Sequence, residues 1–113
     1  MTTQYGTNFS GTFPFSDTNF MMTLAVTTAL PITVPGTPNQ QYRAKFSIVN
    51  GATVFVCLNG VAVLPTAGVA TPVANQELLG WDSVKYVKGG DTLSFIGPAA
   101  TSLGVSLLLV QQT

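Results

Sequence analysis

The chain has 113 residues, 46% of them hydrophobic and 7% charged, with four basic against four acidic side chains, no histidine and one cysteine. That is the length of one domain, enough to bury a core without metals or disulfides, and a net charge of zero gives no field to gather nucleic acid or an anionic membrane surface. Such a surface also does little to oppose self-association, so the composition points to a protein that works within an assembly.

The N-terminal stretch TTQYGTNFSGTFPFSDTN spaces Tyr5, Phe9, Phe13 and Phe15, with Phe20 just beyond, among Gly, Thr, Ser and Asn. The spacing is too irregular for one strand face and the filler too polar for a core helix. It reads as an extended arm over residues 1–19, its rings filling pockets on a partner while its main chain pairs with a sheet edge. The alternative is a first strand and loop whose aromatics enter the domain's own core. No basic region leads into an apolar run, so no secretory signal is expected.

Residues 20–113 read as strand after strand. FMMTLAV puts Phe20, Met22, Leu24 and Val26 on one face at period two, and LPITV over residues 30–34 is a short apolar run ended by the turn residues PGTPN. QYRAKFSIVN alternates clearly: Tyr42, Ala44, Phe46 and Ile48 face one way, and Arg43, Lys45 and Ser47 the other, as in a strand with one wet side. Asn50-Gly51, TVFVCL, Asn59-Gly60 and VAVL then predict a meander, because Asn-Gly suits a type I′ hairpin turn. Cys57, inside TVFVCL, reads as a small buried hydrophobe. PTAGVATPVAN reads as a surface loop, and QELLGW as one helical turn. SVKYVK, TLSFIG and LGVSLLLVQ supply three more strands. SLLLV is apolar on both faces, so its outer side is expected to meet a partner subunit.

Between Lys45 and Glu77 the only ionisable group is the thiol of Cys57. Even so, the Asn, Gly and Pro residues in that span argue against a helix crossing a bilayer. About eight strands with no covering helix predict an all-β fold, an antiparallel sandwich of jelly-roll type with an extended N-terminal arm.

Catalysis by general base or activated nucleophile generally needs histidine or a carboxylate pair. Histidine is absent, and nothing pairs Asp17, Glu77, Asp82 and Asp91. A lone calcium held by Asp82 or Asp91 is the nearest thing to a metal site, and no cofactor or catalytic residue is expected. Trp81, in LLGWDS, caps the core, anchors an interface or stacks on a sugar ring. In VKYVKGGDTLSF, Gly89 and Gly90 with Asp91 form a tight turn, and Lys85 and Lys88 lie near enough to neutralise the aspartate or to contact a partner.

A hydrophobic strand, a turn of lysine, glycine and aspartate, an alternating strand and the closing LGVSLLLV are similar to the late hairpin and last strand of jelly rolls of the tumour-necrosis-factor and C1q kind. The resemblance covers about the last 30 residues and implies a homo-oligomer, trimer or dimer. The whole chain, in size and in its Thr/Ala/Gly/Asn-rich, charge-poor style, resembles the decoration or cement proteins of tailed bacteriophage capsids. That resemblance implies a non-enzymatic virion structural protein on the outer capsid surface, bound across major capsid protein subunits, with no nucleic acid or membrane partner. The candidate partner-binding residues are Tyr5, Phe9, Phe13, Phe15, Trp81, Lys85 and Lys88. A carbohydrate- or receptor-binding module of a head or tail fibre is the rival reading, with Trp81 as its anchor.

Overall fold

The computed structural model describes residues 17–80 and 83–112. Among them eight strands and no helix are found: β1 (Thr18–Leu24), β2 (Leu30–Thr33), β3 (Gln40–Ile48), β4 (Phe55–Leu58), β5 (Gln76–Leu78), β6 (Ser83–Lys88), β7 (Thr92–Ile96) and β8 (Thr101–Gln112). The first sheet runs β1-β8-β3-β6 and the second β2-β7-β4-β5, all pairs antiparallel. The nested pairs 1–8, 2–7, 3–6 and 4–5, wrapped so that β8 meets β3 and β7 meets β4, are the topology of a jelly roll. Its first strand begins at Thr18, so Thr18 and Asn19 belong to the sandwich. The remainder of the expected arm, residues 1–16, lies outside the described residues.

Each long strand turns its apolar set inward at period two. Leu24, Tyr42, Ala44, Phe46, Leu103, Val105, Leu107 and Leu109 come from the first sheet and Val56, Leu93 and Phe95 from the second, and all are buried in one cluster. Phe46 and Phe95, on strands inside opposite sheets, meet edge to face at 5.9 Å between ring centroids. Burial first, and the Asp17 carboxylate second, push the pKa of the Tyr42 phenol up, so it stays neutral. Asp17 also closes the start of β1: its N–H donates to Leu107 O, and its Oδ2 accepts from Leu109 N, both at 2.9 Å.

Several local expectations are corrected. Val26 does not continue β1; it is 54% exposed in a turn where Thr27 takes a φ of 54° and its N–H bonds Gly97 O, sending the chain to the other sheet. The Asn-Gly pairs make no meander. A type I′ turn needs two positive φ angles, and here only Gly51 (86°) and only Asn59 (56°) have one. The first pair sits in a turn closed by Ala52 N to Val49 O, with Gly51 in the left-handed position of a type II turn, and carries the chain from β3 in one sheet to β4 in the other. Val61 to Leu64 form no strand, and Gln76–Leu78 form β5 instead of a helical turn. Gln76 is held there twice: its backbone pairs with Cys57, and its side-chain amide bonds both the N–H and the carbonyl of Val63.

The middle of the second sheet, at β4 and β7, is covered on both sides by its own chain. Outside it, Cys57, Ala62 and Ile96 form a satellite cluster with Ala29, Phe55 and Leu64 packed against them, and Ala62 N donates to Ser94 Oγ at 3.0 Å. That accounts for the continuous apolar run TVFVCL, and Cys57 is the buried small hydrophobe expected. Within SLLLV the outward-facing Leu108 is also buried, only 6% exposed, so that position is not left for a partner, while Ser106 beside it is half-exposed.

Candidate functional site

With the middle of the second sheet covered, the broader outward surface open to other molecules is on the first sheet, around Gly104 and along β3 and β6. Its outward row crosses Met21 on β1, Gly104 on β8 and Ser47 on β3, which stand side by side in register. Gly104 has no side chain to project, and Ser102 and Ser106 beside it on β8 are small. The result is a shallow groove of about 550 Å³ floored by Gly104 and bordered by Asn19, Met21, Thr23, Ser47 and Val49. None of these residues is charged, and Met21 is 83% exposed. The other half of the face differs in character. There Arg43 stands opposite Tyr86, and Lys45 opposite Val84, in the β3–β6 ladder.

The sequence-derived candidates fall elsewhere. Tyr5, Phe9, Phe13, Phe15 and Trp81, and Asp82 with them, lie outside the described residues. Lys85 is on β6, at the edge opposite β1, and turns toward the space between the sheets, where Nζ meets Glu77 Oε1 on β5 at 2.6 Å. It ties the sheet edges together there. Because both side chains are well exposed, the pair contributes little: Lys85→Ala is expected to change unfolding free energy by less than about 1 kcal/mol, and the change should vanish in high salt. Paired urea titrations at low and high ionic strength check this.

Lys88 borders the Gly89-Gly90 turn, and neither lysine neutralises Asp91, which corrects that expectation. Asp91 Oδ2 accepts the backbone N–H of Lys88 at 2.9 Å, and its Oδ1 accepts from Asn59 Nδ2 at 3.3 Å. Asn59 in turn accepts Thr92 N–H at 2.8 Å, so the aspartate is a structural knot between two turns. The segment is not a hairpin either, since β6 and β7 belong to opposite sheets. It is a corner of the sandwich.

The groove residues Met21, Gly104, Ser47, Ser102 and Ser106 were not among the candidates. The readable signal was Gly104, a glycine inside a strand, which marks a close approach or a missing side chain.

The fold and its open face define a jelly-roll sandwich with an uncharged groove of small side chains and one methionine on the β1 side of that face, and Arg43 and Lys45 on its other half. Among the described residues no three His, Cys, Asp or Glu gather as metal ligands, and no helix is long and apolar enough to cross a membrane. In comparisons with protein families, characterised proteins and solved structures, the chain matches none.

Proposed function

We propose that this chain is a non-enzymatic structural protein of a virion, a decoration or cement protein seated on the outer surface of a tailed-phage capsid across joints between major capsid protein subunits. The observation that supports this most directly is the uneven finish of the two sheets. One is covered over its middle strands by its own loop, while the other presents a groove without charge and with a methionine 83% exposed. A face of this kind cannot steer or orient a charged ligand, but it can lie flat against another protein surface. Affinity would then come from buried area, main-chain bonds and repetition around each symmetry axis, with few ion pairs to screen.

The test is made on virions of the phage that encodes the chain. Stoichiometric, symmetry-related copies are expected on the particle by mass spectrometry and electron cryomicroscopy. They should remain after a wash in about 1 M salt, where the Debye length falls to roughly 3 Å. Absence from the particle, or release by moderate salt, would overturn the reading. So would a blank result for assembly accompanied by glycan binding that Trp81→Ala abolishes, since that outcome belongs to the receptor-binding alternative.

A further inference from the structure

Four strands form the edges of the sandwich, β1 and β6 on the first sheet and β2 and β5 on the second. A bare edge is a template for strand addition, and folded proteins blunt edges with short strands, prolines or inward-pointing charge. Three of these four are blunted. β2 has four residues, one of them Pro31, which has no N–H to offer. β5 has three residues. β6 sends Lys85 inward to Glu77. β1, in contrast, has seven residues, TNFMMTL, with neither proline nor charge.

The flank that β1 belongs to is also unfinished. The Lys85–Glu77 contact places β6 over β5, and so β1 over β2. Phe20 and Met22 on β1, and Leu30 and Ile32 on β2, pack on the core yet stay half-buried. From Thr18 to Val34 there is no ionisable side chain. Where the opposite flank is closed by an ion pair, this one carries an apolar rim.

We propose that β1 pairs antiparallel with β1 of a second copy, across a two-fold axis centred on Met21, so that the two first sheets become one continuous sheet. The strand is complementary to itself in that register. Met21 stands opposite Met21 of the second copy, Phe20 opposite Met22, Asn19 opposite Thr23 and Thr18 opposite Leu24. On the core side Phe20 meets Met22, completing the rim, and on the outside the Asn19–Thr23 pairs flank the central pair of methionines. This register keeps every residue of β1 paired, whereas a slip by one would turn the second copy's inner row to the wrong face. No like charges collide. Arg43 and Lys45 sit on β3, and the two β3 strands lie five strand spacings apart, roughly 24 Å at about 4.8 Å each, well beyond the screening length. An isologous contact of this kind closes as a dimer.

The inference goes beyond the capsid reading and is tested on the isolated chain, so its failure leaves that reading standing. Sedimentation of the full chain across micromolar concentrations should show a dimer that persists in high salt. Met21→Lys puts two ammonium groups opposite each other on a solvent-facing position, and should weaken association at least about tenfold with an unchanged circular dichroism spectrum. Opposed residues in an antiparallel ladder are within disulfide reach. Met21→Cys should therefore oxidise readily to a linked dimer, while Asn19→Cys, which faces Thr23 and not itself, should not; buried Cys57 does not compete. A chain that stays monomeric throughout overturns the proposal, whether residues 1–16 or a capsid strand is what occupies the edge. Equal cross-linking of the two cysteine variants overturns it too, as does an oligomer of another size that survives Met21→Lys.

Discussion

Replacing Phe46 with alanine is expected to cost about 4 kcal/mol, a large share of the stability of a domain whose total is on the order of 5–15 kcal/mol. Phe46 is 1% exposed on β3, and its ring bridges the sandwich to Phe95, which is fully buried on β7. Large-to-small changes are felt most where the surroundings cannot collapse, and two hydrogen-bonded sheets about 10 Å apart cannot close over a missing ring. A crevice of about 140 Å³ already touches Phe46, lined also by Val56, Leu58, Val87 and Leu93 and running out to Glu77 and Lys85. Truncation would join the new void to that crevice and open a route for water beneath the ion pair. Urea unfolding at fixed chain concentration should show a large fall in midpoint with the slope unchanged. Phe46→Leu should recover a good part of the loss. A fall of less than about 1.5 kcal/mol would mean that the sheets do not meet through this ring.

The elements that were legible beforehand are those whose evidence is local. Tyr42, Ala44, Phe46 and Ile48 alternate with Arg43, Lys45 and Ser47, and β3 has those two faces, its inner row buried or half-buried in the core. β6, β7 and β8 fall where their β-rich runs predict. What could not be read was partnership. Asn50-Gly51 announces that the chain reverses, and it does, but the sequence has no local mark for the sheet in which the next strand lands. Of the consecutive strand pairs only β4 and β5 are hydrogen-bonded to each other. The remaining ladders join distant segments, Thr18 with Leu107 for example.

The same non-locality hid the open face. Val61 to Leu64 look like a strand on composition, yet Ala62 and Leu64 serve as the lid on Cys57 and Ile96. That lid covers the middle of the second sheet and leaves the first sheet the more accessible one. Cys57 is close in sequence, but the lid's other contacts, Ser94 and Ile96, are not, so no window a strand long contains the whole arrangement. β5 is a similar case. Its three residues become a strand because β4 has a free side, and because Gln76 can tie down Val63.

Gly89→Ala should be severely destabilising, and Gly90→Ala much less so, although the two glycines are neighbours in one turn. Gly90 is there for its backbone: φ is 90°, and a methyl group added to it would meet nothing within 4 Å. A left-handed alanine costs about 1–2 kcal/mol, and that is the whole expected effect. Gly89 is there for space. A Cβ on it would lie 2.6 Å from both the carbonyl carbon of Gly36 and the nitrogen of Thr37, with Thr37 O closer still. All three are main-chain atoms and cannot rotate away. Nor can the turn retreat, because Gly89 N bonds Gln40 O at 2.9 Å, while Gly90 N and Asp91 O bond Val34 at 2.8 Å. The corner from β6 to β7 and the loop from β2 to β3, each of which crosses from one sheet to the other, are thus fastened face to face. Moving them apart breaks these hydrogen bonds along with the packing, so the loss should exceed the roughly 1–3 kcal/mol of ordinary overpacking. Thermal unfolding of the two variants side by side reads the difference. If Gly90→Ala proves the more damaging, the corner is held by its backbone conformation, and the tight contact between these two turns is not what joins the sheets there.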